Sequence, residues 1–114
     1  MDCIFCKILE GKIPSTKVFE NDKVLAFRDI NPKAPEHILV IHRLHTESIS
    51  ATAPDQAYIF ADIFSAVREI AAKLGLDEKG YRVLVNNGKA AGQEVFHVHI
   101  HIFGGKDNLG PMLA

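Results

Sequence analysis

The sequence predicts an α+β fold in which an antiparallel sheet carries one long helix on a face. Three observations predict it. Phe60, Ile63, Phe64, Val67, Ile70, Ala71 and Leu74 recur at helical spacing, with Asp62, Ser65, Glu69 and Lys73 largely on the other side. Residues 97–102 read His-Val-His-Ile-His-Ile, a strict alternation with the period of a β-strand. Further short apolar stretches are bounded by turn residues, as strands joined by hairpins and inserted helices would be.

A short helix is expected over about residues 3–10, with Asp2 as its cap, Gly11 as its stop and Ile4, Phe5, Ile8 and Leu9 as its buried stripe. Lys17 to Glu20 and Lys23 to Asp29 read as two strands around an Asn21-Asp22 turn. Asn31-Pro32 and Pro35 mark a loop. His37 to His42 is a nearly continuous apolar run, suited to a central strand covered on both faces. Pro54 suits the first turn of the long helix, with Ala53 or Thr52 at the cap, and Gly75 ends it. Tyr81 to Asn86 is a further strand, residues 87–92 a glycine-bearing loop, and Phe96 to Phe103 the last strand.

The chain has 114 residues and reads as one domain over 1–114. A chain of this size buries roughly 60–70% of its unfolded surface, enough for one core without staples. Its net charge is −1 with signs interspersed, which disfavours sequence-independent nucleic-acid binding. No apolar run approaches ~18 residues, so no membrane span is expected. The start, Met-Asp-Cys-Ile-Phe-Cys-Lys, lacks a basic segment followed by an apolar one. A cytoplasmic location is the expectation, and two cysteines there suit thiols or metal ligands better than a disulfide.

The chemistry concentrates in the last strand. His97, His99 and His101 share one face, and Val98, Ile100 and Ile102 the other. The apolar row packs most simply under the long helix, leaving the histidines on the open face. Lys, Thr or Glu would serve solubility better than three of the chain's six histidines. Imidazoles in a row can ligate a metal, or one can attack an electrophile while its neighbours move protons. Gly92-Gln93-Glu94 precedes this strand, and Asn86-Asn87-Gly88 ends its expected neighbour. Glycine loops at strand ends present N–H groups to phosphate oxygens, and Asn86 and Gln93 add neutral amide donors.

His97 to Phe103 resembles the His-x-His-x-His-x-x motif of the histidine-triad superfamily, and further similarity covers nearly the whole chain. Residues 27–37, Phe-Arg-Asp-Ile-Asn-Pro-Lys-Ala-Pro-Glu-His, resemble the nucleoside-binding segment of the Hint branch. Residues 92–96 resemble its phosphate approach, and the ending Gly104-Gly105…Leu109 to Ala114 resembles the bacterial Hint purine nucleoside phosphoramidases.

The resemblance implies a five-stranded antiparallel sheet with one long and one short helix, dimerising into a ten-stranded sheet. The long helices would pack at the interface, and the C-terminal tail would reach the partner's pocket. It implies that His99 attacks the α-phosphorus of a nucleoside phosphoramidate, giving a nucleotidyl-histidine that water hydrolyses. His99 would donate from its other nitrogen to a backbone carbonyl. His101 would bond phosphoryl oxygens, and His37 and His97 would form a proton-relay pair. Asn86, Gly92, Gln93 and the backbone of Glu94 and Val95 would hold phosphate, and Asp29 the ribose hydroxyls. Phe5, Ile8, Phe27 and Ile30 would wall a purine of AMP or GMP type. The reaction needs no cofactor. Alternatives on the same residues are dinucleoside polyphosphate hydrolysis or nucleotidyl transfer, and a different class is a nucleotide-binding interaction protein.

Three features depart from the better-known Hint members. Cys3-Ile-Phe-Cys6 has metal-knuckle spacing. In many histidine-triad proteins, and in the related galactose-phosphate uridylyltransferases, a cysteine pair holds structural zinc with two histidines. That pattern implies a site of Cys3, Cys6, His45 and His97 here, which would compete with a relay role for His97. Glu94 stands where animal members have serine, so only its backbone N–H carries over. His42 replaces a usual proline and reads as an exposed strand-end residue.

Overall fold

A computed structural model describes residues 3–111. Asp2, expected as a helix cap, and the tail beyond Pro111 lie outside the described residues. Helix α1 (Ile4–Leu9) precedes strands β1 (Lys17–Glu20), β2 (Val24–Arg28) and β3 (Glu36–His42). A 3₁₀ turn at Pro54–Gln56 leads into helix α2 (Tyr58–Lys73), and strands β4 (Arg82–Leu84) and β5 (His99–Gly104) follow. The strands form one antiparallel sheet in the order β1-β2-β3-β5-β4. The α+β fold and its five strands are as expected. β4 and β5 are shorter than their apolar runs, because the residues around them turn off the ladder to build loops.

Register divides the sheet into two faces. Ile38 pairs with Ile102 and Val40 with Ile100, and this row lies under α2 with Val24, Ala26 and Val98. Leu39 pairs with His101 and Ile41 with His99, so the histidine row shares the opposite face with Leu25 and Phe27. That face is not open: α1 lies over it, and its Phe5 and Ile8 are buried against Leu25, Phe27, Leu39 and Ile41. His97 and His99 are 0% and 7% exposed.

α1 is capped by Cys3, whose Sγ accepts the Cys6 N–H at 3.3 Å. Ile4 is 48% exposed and Leu9 only partly buried, so the stripe is narrower than expected. A six-residue helix over a flat sheet presents little more than one pair at i, i+3. α2 buries Ile59, Ile63, Ala66, Val67, Ile70 and Ala71, while Phe64 stays 48% exposed. The stripe is thus rotated towards Ile59 and Ala66. Gly75 ends α2 at φ +69, where the Leu76 N–H reaches the Ala71 carbonyl and the Gly75 N–H reaches that of Ala72. The chain past β5 is held to β4 by Arg82, which donates to the Gly110 carbonyl at 2.6 Å.

Candidate functional site

A cavity of about 860 Å³ opens on the histidine face. α1 supplies one wall through Phe5 and Ile8, and Phe27 continues it. Asp29 and the 92% exposed Ile30 form the rim at the end of β2. Asn86, Gly92, Glu94 and Val95 line the other end, and His37, His99 and His101 the floor. Of the expected cavity residues, Gln93 and His97 stand back from it. Gln93 is buried, and its amide nitrogen donates to the Glu47 and Val95 carbonyls at 2.7 and 3.1 Å. Its oxygen accepts the Gly88 N–H. Both amide hydrogens are spent inside the protein, so Gln93 shapes the loop instead of donating to a ligand.

Backbone partners fix the histidine protons. His99 Nδ1 lies 2.8 Å from the His97 carbonyl, which can only accept, so the proton sits on Nδ1 and Nε2 keeps its lone pair. His37 Nδ1 accepts the Lys33 N–H at 3.1 Å, so His37 is protonated on Nε2 and donates to His101 Nδ1 at 3.0 Å. The His101 proton is then on Nε2. Adjacent cavity histidines are thus locked in opposite tautomers, one a lone-pair donor and one an N–H donor. His37 pairs with His101, not with His97 as expected, because the β3–β5 register places His37 opposite Phe103, beside His101. Asp29 Oδ1 accepts the Asn31 N–H at 2.8 Å, and Oδ2 lies 3.5 Å from His37 Nε2.

Burial keeps these rings neutral. It lowers His99 and His37 below the usual histidine value. Burial, then the His99 and His37 rings, push His101 down to about 4.

Cys3, Cys6, His45 and His97 meet beside His99. His97 Nδ1 lies 3.5 and 3.6 Å from the two sulfurs and 3.2 Å from His45 Nδ1, and Cys6 Sγ lies 3.4 Å from His45 Nδ1. A tetrahedral zinc with ordinary bond lengths needs S···N edges of about 3.6 Å and an N···N edge of about 3.3 Å. The His97 tautomer fits as well: Nε2 donates to the His42 carbonyl at 2.9 Å, leaving Nδ1 free for an ion. Burial, then the Cys3 thiol, raise Cys6 to about 11, a penalty that a divalent cation reverses. Asp29, His37 and His101 also cluster. They do not fit an ion, since the Lys33 N–H on Nδ1 forces the His37 proton onto the very nitrogen that would ligate.

His42 is not exposed. It is 2% exposed, shares parity with Ile38 and Val40, and therefore faces α2. Its Nδ1 accepts the Leu44 N–H and its Nε2 donates to Asp62 at 2.8 Å. The sequence also missed Lys33, whose contribution is a backbone N–H that no side-chain pattern announces.

Residues 10–108 match the family model described as the HIT domain. The chain belongs to the HIT domain family. Among curated HIT relatives, the purine nucleoside phosphoramidase of Escherichia coli K12 is 40% identical over 113 residues, covering 99% of this chain and 94% of that protein. Protein HitA of Neisseria gonorrhoeae is 45% identical, covering 90% and 95%. Among solved HIT structures, a histidine triad protein from Clostridium difficile is 50% identical with TM-score 0.90, covering 93% and 92%. A HIT family hydrolase from Clostridium thermocellum is 44% identical with TM-score 0.92, covering 99% and 97%.

Proposed function

We propose that this protein is a hydrolase of purine nucleoside 5′-monophosphoramidates that works through a nucleotidyl-histidine at His99. The observation that carries the reading is the pair of opposite tautomers on the cavity floor. His99 Nε2 brings its lone pair to the α-phosphorus, and the N–P bond to histidine forms as the P–N bond to the amine breaks. The amine leaves with a proton from water, and the hydroxide so formed takes up the proton that the hydrolysing water gives up in the next step. A second water then hydrolyses the phosphorus–histidine bond and restores the lone pair. His101 donates from Nε2 to a phosphoryl oxygen, and Asn86 with the backbone N–H groups of Glu94 and Val95 holds the others. Asp29 takes the ribose hydroxyls, and Phe5, Ile8, Phe27 and Ile30 the purine. The purine phosphoramidase of E. coli, alike over nearly its whole length, supports this choice of substrate.

Cys3, Cys6, His45 and His97 would hold a structural zinc. Bound there, zinc supplies cross-linking and a stable thiolate charge, and His97 acts as ligand instead of relay. Tyr58 and Phe64, exposed on α2, and the edge strand β4 are the surfaces through which two copies would form a ten-stranded sheet.

Turnover of an adenosine 5′-phosphoramidate is compared with that of a diadenosine polyphosphate at equal concentration. Faster phosphoramidate cleavage is expected; equal or slower cleavage defeats the reading. Metal analysis should give near one zinc per chain, and sizing chromatography a dimer.

A further inference from the structure

α1 touches both sites at once. Cys3 at its cap and Cys6 face the metal cluster, while Phe5 and Ile8 face the cavity. Each pair is spaced i, i+3, so two adjacent faces of one short helix serve two different sites. We propose that a bound metal ion clamps α1 in place as the wall of the nucleotide cavity, so that metal and nucleotide bind cooperatively. The proposal rests on both the metal and the nucleotide readings above, and makes Cys3 and Cys6 positioning residues for nucleotide binding.

The helix has six residues, too few to be stable by itself. Its C-terminal end is closed by the Lys12 N–H on the Lys7 carbonyl and the Gly11 N–H on that of Ile8. Among the described residues, its N-terminal end is held through Cys3, whose Sγ accepts the Cys6 N–H and whose carbonyl accepts the Lys7 N–H. Without a cation, two sulfurs and two imidazole nitrogens crowd within 3.2–3.6 Å, joined by weak S–H donors and at most one N–H. With a cation, the same four atoms tie α1 to the loop after β3 and to the segment before β5.

What the clamp holds is the ring of Phe5. It meets His99 edge-on at 5.0 Å and 89°, Phe27 at 5.5 Å and 73°, and His97 at 5.9 Å and 70°. Phe5 is thus wedged between the nucleophile, the metal ligand and the nucleoside wall. Releasing the two cysteines frees the end of the helix nearest this ring, and a nucleoside loses its apolar wall. Because coupling between two binding sites is reciprocal, nucleotide must tighten metal by the same factor.

Calorimetric titration of AMP into zinc-loaded and chelator-stripped protein tests this. Stripped protein should bind AMP weaker by roughly 5- to 150-fold, the usual range of coupling between sites. Zinc affinity, read by chelator competition, should rise by the same factor under saturating AMP. Amide exchange should quicken on stripping in residues 4–9 while β3 and β5 stay protected. In Phe5→Ala protein, AMP binding should weaken in the zinc form and fall no further on stripping. Equal AMP affinity with and without zinc overturns the proposal, as does stripping that exposes β3 and β5 as much as α1. Failure of the underlying readings looks different: substoichiometric zinc refutes the metal site, no AMP bound to zinc-loaded protein refutes the nucleotide site, and each also overturns the coupling.

Discussion

The Nδ1 of His99 stands 2.8 Å from the carbonyl oxygen of His97, two residues back on the same chain. One backbone atom therefore sets the proton of the proposed nucleophile. The His97 ring is itself anchored through Nε2 to the carbonyl of His42. The nucleophile's orientation is thus built by main-chain groups of β3 and of the segment just before β5 and does not depend on any titrating partner.

From this follows the sharpest prediction. His99→Ala should lose at least about 10⁴-fold in kcat on a phosphoramidate, the scale of removing a covalent nucleophile. Wild-type protein quenched during turnover of labelled substrate should carry acid-labile label, and the variant none. Residual turnover within tenfold of wild type would remove His99 from the covalent role.

His37 acts through His101. His37→Phe keeps a ring of similar bulk at a 4% exposed site but removes the N–H that occupies His101 Nδ1. His101 can then present either nitrogen to the cavity. A loss of roughly 10- to 100-fold in kcat/KM is expected, less than the roughly 10²- to 10⁴-fold that a positioned proton donor itself contributes, because His101 remains in place. With His101→Asn as the second change, the double variant should be little worse than His101→Asn alone, because both break one chain of bonds. Fully multiplicative losses would mean that the two histidines work separately.

The reach of sequence reasoning follows from which distances are local. The alternation of residues 97–102 places three imidazoles on one face without knowledge of any partner strand; β5 keeps it from His99 on, and His97, just ahead of the strand, still lies on the Phe5 side with His99. Gly11 and Gly75 stop their helices as their positions suggest. The His37–His101 bond depends on the register of β3 against β5, sixty-four residues apart, which neither strand encodes alone. Gln93 looks like a phosphate donor because its type and loop are right. Only the approach of the Glu47 carbonyl, forty-six residues away, consumes its hydrogens. His42 is legible as buried from its parity with Ile38 and Val40, which marks the α2 face. Its acceptor, Asp62, was hidden by the expected polar side of a helix whose stripe is in fact rotated.

That buried pair gives a stability prediction. Asp62→Leu leaves the His42 Nε2–H without its acceptor at a site 2% exposed. The loss should be about 1–3 kcal/mol by urea unfolding. Asp62→Asn keeps an oxygen acceptor and should cost less than half of that. If the two substitutions cost the same, the hydrogen bond contributes nothing and the site is merely sensitive to shape.

The depressed histidines also set a pH window. His101 lies at about 4 and His37 below its usual value, both first by burial. In the unfolded chain each titrates near 6.5. As pH falls below 6.5, the unfolded state takes up protons that the folded state refuses, so stability is lost on acidification and is independent of these groups above 6.5. Ordinary carboxylates titrate lower, so the interval from pH 6.5 to 5 belongs chiefly to histidine. His101 is partly exposed, and after allowance for solvent screening its share over that interval is about 1 kcal/mol. Urea midpoints at pH 8.5, 7.5 and 5 should be level between the first two and fall at the third, with a shallower fall in His101→Asn. A midpoint that rises towards pH 5, or an equal fall in the variant, would mean that His101 is not held neutral by its burial.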